Sequence, residues 1–355
     1  YLLGGYSSSN TGGNKTRNTF GNNDYWIVKI DANGIKQWDS IYGGTNIDEL
    51  NEIIPTNDGG YLLGGYSSSP ASGNKTRNSY GQSDYWIVKI NANGTKQWDS
   101  IYGGSNFDQL TKIIASSDDG YLLGGFSLSS ASGNKTTNSY GSNDYWVVKI
   151  DANGTKQWEN NYGGTSTDQL NTIIAIWVGG YLLGGLSQSN ANGNKTRNSF
   201  GGTDYWLVKI NANGTKQWDS IYGGTSTDWL STIVATSDNG YLLGGYSSSL
   251  ANGNKSSSSY GADDYWLVKI DANGTKQWEN IYGGTSTDAL LSNALVATSN
   301  GNFLLGGSSQ SNISGNKTLN SFGSVDYWVV TINANGNKIK EKVYGKTFEG
   351  KYFSL

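Results

Sequence analysis

Six copies of one short motif carry the residue types best suited to binding a ligand. Each copy has an Asn-Lys pair, and a Phe or Tyr follows five residues after the lysine. Amide, ammonium and aromatic groups together suit the hydroxyl groups of a sugar or the polar groups of a peptide. The predicted binding residues are Asn14, Lys15, Phe20, Asn74, Lys75, Tyr80, Asn134, Lys135, Tyr140, Asn194, Lys195, Phe200, Asn254, Lys255, Tyr260, Asn316, Lys317 and Phe322.

The same motif also has a structural explanation. Asn, Ser and Thr side chains can fold a loop back onto its own backbone, while the aromatic ring covers the edge of a sheet. The structural explanation is favoured for the motif as a whole. Any ligand is nevertheless expected on the surface that these loops form, together with connections of the Thr165–Asp168 type.

A second repeated set consists of acidic residues. A ring of such carboxylates is a weak candidate for a Ca²⁺ site, since Ca²⁺ takes six to eight oxygen ligands; the set is Asp48, Asp108, Asp168, Asp228 and Asp288. The alternatives are a hydrogen-bonded turn or an ion pair with a lysine of a largely buried strand. The ion pair is favoured, because a buried ammonium group needs a partner; the lysines are Lys29, Lys89, Lys149, Lys209 and Lys269.

The sixth copy departs from this pattern at both charges. Thr331 replaces the lysine, and Glu349-Gly350 lies near the aspartate position. The segment Asp31-Ala32-Asn33-Gly34 resembles the start of a calcium loop, but three copies carry Asn at its first position and no glutamate follows at the required spacing. This segment is predicted to be a turn, and no metal site is assigned.

Composition excludes several kinds of chemistry. The chain has no Cys, His or Met, which excludes disulfides, zinc sites of the usual ligand set and Cys or Ser–His nucleophiles. Its 25 basic and 28 acidic residues give no electrostatic signature of nucleic-acid binding. No apolar run is long enough to span a bilayer.

An enzyme is not predicted either. A catalytic centre needs distinct groups that converge once, whereas nearly every polar position here recurs in each copy. The residues that break the symmetry are Trp177, Val178, Trp229, Glu52 and Lys112, with an insertion near Leu291. They form no acid–base set, so catalytic residues are given as none and cofactors as none.

These residues must be positioned by a repeated structural unit. Asp-Tyr-Trp begins at residues 24, 84, 144, 204, 264 and 326, and Leu-Leu-Gly-Gly and Tyr-Gly-Gly recur in step with it. One unit predicts four strands, for which we expect Leu170–Ala175, Tyr61–Ser67, Asp84–Ile90 and Thr95–Tyr102 as examples. Repeats of four short antiparallel strands predict an all-β fold, a six-bladed β-propeller in a single domain over residues 1–355.

The ends of the chain suggest how such a propeller closes. The sequence starts within a second strand, and Lys351–Leu355 falls where a first strand should begin. We expect this segment to pair with Tyr1–Tyr6, so that the two termini complete one blade and close the ring. A longer chain with further blades is the alternative.

The motifs resemble a known family. The succession Tyr-Gly-Gly, Asp-Gly-Gly-Tyr, Leu-Leu-Gly-Gly, Asp-Tyr-Trp-Ile-Val-Lys-Ile and Asn-Gly is similar to the bacterial β-propeller repeats of SBBP type. It is closest to the aromatic-rich versions in secreted proteins of Bacteroidetes. The resemblance covers essentially the whole chain and implies export, often through type IX secretion, to the cell surface or the medium.

The sequence thus predicts a non-enzymatic extracellular or cell-surface binding module, an adhesin or a carbohydrate- or protein-recognising propeller. The expected partner is a glycan or a protein, with no nucleic acid and no membrane insertion. The chain would act as a monomer or within a larger complex. A structural scaffold subunit is the alternative, and a glycan-active enzyme is the least favoured.

Overall fold

The computed structural model describes residues 1–176 and 179–345, and these residues form 23 strands and no helix. Each repeat builds one sheet whose neighbouring strands are antiparallel and consecutive in the chain. The first sheet has three described strands and the other five have four. The strands are β1 (Leu2–Ser7), β2 (Asp24–Ile30) and β3 (Lys36–Tyr42); β4 (Asp48–Pro55), β5 (Tyr61–Ser67), β6 (Asp84–Ile90) and β7 (Lys96–Tyr102); β8 (Asp108–Ala115), β9 (Tyr121–Ser127), β10 (Asp144–Ile150) and β11 (Lys156–Tyr162); β12 (Asp168–Ala175), β13 (Tyr181–Ser187), β14 (Asp204–Ile210) and β15 (Lys216–Tyr222); β16 (Asp228–Ala235), β17 (Tyr241–Ser247), β18 (Asp264–Ile270) and β19 (Lys276–Tyr282); β20 (Asp288–Ala297), β21 (Phe303–Ser309), β22 (Asp326–Ile332) and β23 (Lys338–Tyr344).

Tight hairpin turns set the register of neighbouring strands within a sheet. In the turn between β6 and β7, Gly94 has φ of 77°, a left-handed conformation that glycine adopts without steric cost. The Asn91 side chain accepts hydrogen bonds from the backbone N–H groups of Asn93 and Thr95. The register of the two strands shifts between Lys89 and Ile90, next to this turn, where they form a β-bulge. At the far end of the hairpin, Tyr85 lies opposite Tyr102.

Within each unit, successive sheets pack face to face through repeated aromatic contacts. The Tyr85 hydroxyl donates to the Trp146 carbonyl at 2.9 Å, and the two rings lie 4.7 Å apart. On the second strand, a Cβ added to Gly64 would lie 2.5 Å from Leu110 Cδ2 of the following sheet. Glycine is therefore required there by close packing, and the fully buried Trp146 serves packing rather than binding.

The contacts within the chain define two compact units, residues 1–175 and 176–355. The first unit contains β1 to β12, and the second contains β13 to β23. The predicted pairing of Lys351–Leu355 with the first strand, the closure of the ring by the termini, Glu349-Gly350 and the symmetry-breaking residues Trp177 and Val178 all fall outside the described residues. Closure and the single-domain organisation therefore stay predictions.

The all-β fold and the repeated four-stranded antiparallel blades are confirmed. The second and third strands have the predicted bounds. The first strand begins at Asp168 rather than Leu170, and the fourth begins at Lys96 rather than Thr95. Both differences lie at turns, where the local sequence pattern is weakest.

Candidate ligand-binding surface

A long polar loop joins the second and third strands of each sheet, and within each unit such a loop lies against the connection that enters its sheet from the preceding one. We call these loops, residues 8–23, 68–83 and 128–143 in the first unit and 188–203, 248–263 and 310–325 in the second, the long loops. Ser72 Oγ accepts from the Thr45 backbone N–H at 3.0 Å, and Ser69 Oγ accepts from that of Asn46 at 2.9 Å. The expected shared surface of long loops and connections is therefore present in each unit.

The lysine of each long loop faces inward. The Lys75 side chain is only 3% exposed, and its ammonium group donates to the carbonyls of Ser69 and Arg77 at 2.7 and 2.6 Å. Burial lowers the pKa of Lys75 to about 8, although Asp48, Asp84 and Asp99 oppose this. The other five loop lysines are buried in the same way: Lys15, Lys135, Lys195, Lys255 and Lys317.

This placement corrects the prediction for the lysines. An ammonium group that donates to the carbonyls of its own loop is not presented to a ligand, because binding would leave those carbonyls without donors. The lysines hold each long loop closed over the third-strand tryptophan. The Lys135 ammonium, for example, lies 5.5 Å from the centre of the Trp146 ring.

The asparagine of the motif joins neighbouring repeats. Asn74 accepts from the Gly43 N–H at 2.9 Å and donates to the Ile41 carbonyl at 2.8 Å. Three other asparagines make the same two bonds with a glycine N–H and an isoleucine carbonyl. Asn134 bonds to Gly103 and Ile101, Asn254 to Gly223 and Ile221, and Asn316 to Gly283 and Ile281. These amides are engaged in the structure, whereas Asn14 is exposed in the first loop.

The aromatic residue of each motif remains on the surface. Tyr80 is 47% exposed, and one side of its ring lies over Gly133 in the next loop, where an added Cβ would be 2.7 Å from Tyr80 Cγ. Gly133 also has φ of 58°, a left-handed conformation that favours glycine at this position. The equivalent rings that are also exposed are Phe20, Tyr140, Phe200, Tyr260 and Phe322.

A carboxylate on the fourth strand organises each loop, and it is absent from the residues predicted from the sequence. Asp99 accepts from the Thr76 N–H and hydroxyl, from Trp86 Nε1 and from Lys96 Nζ. Burial acts to raise the pKa of Asp99, but these hydrogen bonds outweigh burial and hold the pKa below its usual value. The signal in the sequence was the recurrence of Asp or Glu at this position in all six copies, after a tryptophan in five of them and after Lys340 in the sixth.

A pair of buried aspartates explains the Tyr-Gly-Gly motif. Asp84 accepts from the Tyr80 N–H at 2.7 Å, and its other carboxylate oxygen fills the space beside Gly103, where an added Cβ would lie 1.8 Å away. Asp108 accepts from the Gly104 N–H and the Ser129 hydroxyl. Burial raises the pKa of Asp84 to about 7, and the charge of Asp108 adds to this effect.

The predicted roles of the second acidic set need correction. Asp48, Asp108, Asp168, Asp228 and Asp288 are buried at the start of the first strands, and each accepts from the backbone N–H of a glycine. In the described ranges, no three acidic side chains come close enough to hold a metal ion. The hydrogen-bonded turn is therefore the alternative that fits, rather than an ion pair with the strand lysine.

The strand lysine instead pairs with the aspartate of the hairpin turn in its own sheet. Lys89 is buried and lies 2.8 Å from Asp58, and Lys149 and Lys269 make the same contact with Asp118 and Asp238. The prediction that these lysines are buried against a carboxylate is thus confirmed for three copies, with a different partner.

The remaining copies show why the partner is the turn aspartate. Thr331 replaces the lysine where the turn carries Asn300, so both charges are absent together. Lys209, whose turn lacks an aspartate, donates to the Ala272 carbonyl instead, and Lys29 donates to the Tyr61 hydroxyl.

A groove beside Phe20 combines several groups suited to sugar binding. This cavity of about 470 Å³ is lined by Arg17, Phe20, Ser40 and Tyr42 together with Asn74 and Thr95 of the next repeat. Arg17 is exposed, as are Arg77 and Arg197 at the equivalent positions. The chain has Asp-Ser after the fourth-strand tryptophan in the three repeats with this arginine, and Glu-Asn in two of the repeats without it.

Together, the fold and the loops define a repeat protein of β-propeller type. No protein-family model and no curated protein sequence matches the chain. Among solved structures it is similar to the hydrazine synthase of Kuenenia stuttgartiensis, at 10% identity and a TM-score of 0.47 over 83% of this chain. The chain spans 65% of that hydrazine synthase chain.

Two further structures are similar at this level. The apocarotenoid oxygenase of Synechocystis is 9% identical over 91% of this chain and 70% of its own, with a TM-score of 0.45. Plexin A of Drosophila, solved in complex with Semaphorin 1b, is 8% identical over 90% of this chain and 74% of its own, with a TM-score of 0.41. At these identities the similarity concerns the fold alone. In the described part of the chain, no helix is long and apolar enough to cross a membrane.

Proposed function

We propose that the chain is a non-enzymatic binding propeller of the cell surface or the extracellular medium that recognises a carbohydrate through its long loops. The observation that carries this proposal is the repeated exposure of one aromatic ring per long loop. Tyr80 and its five equivalents each present part of a ring to solvent, while the lysine five residues earlier is buried in its own loop. A rigidly held aromatic surface suits the apolar face of a sugar ring.

The groove beside Phe20 supports a carbohydrate over an unspecified partner. A ring surface, a guanidinium group and hydroxyl groups line it together, and this combination can both stack on a sugar and donate to its oxygens. Repetition of the loops supports a polymeric ligand, because weak contacts at several loops add up on a repetitive partner.

A binding function is favoured over catalysis by the way the carboxylates are used. Asp84, Asp99 and Asp108 all accept hydrogen bonds from backbone or side-chain donors of the fold. Carboxylates with such structural roles are not presented to a substrate as an acid and a base. Export to the cell surface is proposed from the resemblance to secreted repeat proteins.

Affinity electrophoresis through gels that contain neutral or acidic polysaccharides tests the proposal. The variant Tyr80→Ala, Tyr140→Ala, Tyr260→Ala should lose the retardation that the parent protein shows in at least one polysaccharide. The matched control replaces three exposed asparagines of the short hairpin turns, Asn93→Ala, Asn153→Ala and Asn273→Ala. Loss of retardation only in the turn variant, or no retardation of the parent by any polysaccharide, would contradict carbohydrate binding by the long loops.

A scaffold role would give a different result. A structural subunit would show no retardation in any gel, yet it would co-purify with proteins of the same surface assembly. The two functions are therefore separated by the parent protein alone, before any variant is made.

A further inference from the structure

All three arginines of the chain stand at one position of the long loops. Arg17, Arg77 and Arg197 each lie two residues after the loop lysine and three residues before the exposed aromatic ring. All three are exposed. The other long loops have an uncharged residue at this position. The arginines therefore belong to the surface that the proposed function assigns to the ligand.

The guanidinium groups are not used by the fold. Within residues 1–176 and 179–345, none of the three forms a hydrogen bond or an ion pair with another residue. The fourth-strand carboxylate pairs with a lysine instead, as Asp99 does with Lys96 at 2.7 Å. In the third loop, by contrast, Thr137 stands at the arginine position and donates to Glu159 from its backbone N–H at 3.0 Å. Each arginine therefore presents a positive charge that the described part of the fold leaves unpaired.

In the first repeat this charge lines the groove beside Phe20. Of the described residues around that groove, Arg17 and Lys96 carry a positive charge and none carries a carboxylate. The Lys96 ammonium is already paired with a buried aspartate, so Arg17 supplies the available charge. Burial raises the pKa of the Tyr42 hydroxyl, while a hydrogen bond with Ser40 and the charge of Arg17 act to lower it. The guanidinium group thus shares one groove with an aromatic ring and a hydroxyl group.

The second and fourth repeats have the same arrangement. The hydroxyls of Tyr102 and Tyr222 donate to a glycine carbonyl in the next hairpin turn, as that of Tyr42 does. Burial raises the pKa of Tyr102 and Tyr222 to about 12, and the charges of Arg77 and Arg197 oppose this effect. Arginine and tyrosine are therefore neighbours in three repeats.

The hairpin turn next to each arginine differs in charge. Asp151 and Asp271 lie near Tyr102 and Tyr222, and their charges act to raise the pKa of these tyrosines. The first groove has the neutral Asn91 at the equivalent position. An anionic ligand therefore meets a nearby carboxylate at the second and fourth repeats but not at the first.

We propose that the three arginine positions bind the acidic groups of a polysaccharide that carries carboxylates or sulfate esters, with the groove of Arg17 as the strongest site. The arginine pairs with the anionic group, while the aromatic ring three residues later stacks on the sugar. A guanidinium group suits this role, because its planar fork of donors matches two oxygens of an oxyanion. The chain has a net charge of −3, which gives no general attraction to a polyanion, so such binding must come from local sites. This proposal rests on the proposed carbohydrate binding and adds the charge of the ligand.

Surface plasmon resonance on immobilised polysaccharides tests the charge of the ligand. Polygalacturonate and alginate carry carboxylates, dextran sulfate carries sulfate esters, and dextran and methyl-esterified polygalacturonate are neutral. The parent protein should bind at least one acidic polymer about tenfold more tightly than either neutral polymer, as a charge-assisted hydrogen bond predicts. Binding should weaken when the salt concentration rises from about 0.1 M to about 1 M.

Single variants test the arginine itself. Threonine stands at this position in the third loop, so Arg17→Thr is compatible with the loop structure. This variant should bind the acidic polymer about tenfold more weakly than the parent, and Arg77→Thr should show a smaller loss. The matched control Lys342→Thr removes one positive charge from an exposed position on β23 and should bind like the parent.

Other results overturn the proposal while leaving carbohydrate binding intact. These are equal binding of the parent to neutral and acidic polymers, unchanged binding by Arg17→Thr, an equal loss in Lys342→Thr, or a larger loss in Arg77→Thr than in Arg17→Thr. No binding of the parent to any polymer would instead contradict the proposed function and this proposal together. The preference of the parent is measured on the unaltered protein, so it decides the question even if Arg17→Thr fails to fold.

Discussion

Two parts of the same long loop behave in opposite ways. The Asn-Lys pair is engaged in the fold: Lys75 is buried and donates to loop carbonyls, and Asn74 joins two repeats. The aromatic residue five positions later is half exposed and lies over a glycine of the next loop. Residue types that look alike as binding groups in the sequence therefore divide into a part that holds the loop and a part that can meet a ligand.

The largest loss of stability is expected from removing the carboxylate that organises the loop. Asp99→Ala removes the acceptor for donors on Thr76, Trp86 and Lys96 and should lower the free energy of unfolding by about 3–5 kcal/mol. Chemical denaturation of the variant and its parent measures this.

The chain itself offers the control for Asp99. Glu159 occupies the equivalent position and accepts from Thr136, but Trp146 Nε1 has no acceptor there. Asp99→Glu should therefore cost only about 1 kcal/mol, close to the value of one hydrogen bond. Equal losses for the two variants would show that Asp99 does not organise the loop through these hydrogen bonds.

The buried lysine should give the next largest effect. Lys75→Met keeps the length and most of the packing of the side chain but leaves the carbonyls of Ser69 and Arg77 without their donor. A loss of about 2–3 kcal/mol in the free energy of unfolding is expected. A loss below about 0.5 kcal/mol would contradict the structural role of Lys75 and would leave its ammonium group available to a ligand.

The glycine beneath the aromatic ring separates packing from backbone strain. Gly73 and Gly13 have φ of 59° and 56°, so alanine should cost about 1 kcal/mol at either position. An added Cβ on Gly73 would also lie 2.4 Å from the Gly43 carbonyl oxygen and 2.7 Å from Phe20 Cγ, whereas Gly13 has open space around it. Gly73→Ala should therefore be less stable than Gly13→Ala by about 1–2 kcal/mol in thermal or chemical unfolding. If the two variants are equally stable, Gly73 is not packed against the Gly43 carbonyl and the Phe20 ring as described.

The buried aspartates should make stability depend on pH. Burial raises the pKa of Asp84 to about 7 from 3.8, so the folded state holds its proton more tightly than the unfolded state does. The contribution of Asp84 to stability is then present below about pH 4 and is lost as the pH rises through 7. Asp144, Asp204 and Asp264 also have a pKa raised to about 7 by burial.

Asp84→Asn tests this dependence, because the amide cannot ionise. In urea unfolding at pH 5 and at pH 8, the variant should lose less stability than the parent as the pH rises. A difference between variant and parent that is the same at both pH values would mean that Asp84 does not titrate in this range.

The repeat explains how much of the fold could be predicted. Six copies fix the strands and the Asn-Gly turns, because each copy repeats the same apolar pattern and the same turn residues. The partner of Lys89 could not be predicted in this way, since Asp58 reaches it only through the register of one hairpin. The burial of Lys75 was likewise hidden, because a lysine in a polar loop gives no sequence signal of the carbonyls that it meets.

The central claim is that the aromatic residues bind and the Asn-Lys pair holds the loop. The most direct test uses the polysaccharide gel in which the parent protein is retarded. It measures the retardation of each variant in that gel together with its free energy of unfolding. The triple variant Tyr80→Leu, Tyr140→Leu, Tyr260→Leu should lose retardation, while its free energy of unfolding stays within about 1 kcal/mol of that of the parent. Lys75→Met, assayed where it is still folded, should keep its retardation and lose stability. The reverse result, retardation lost with Lys75 and kept without the three rings, would contradict this division of roles.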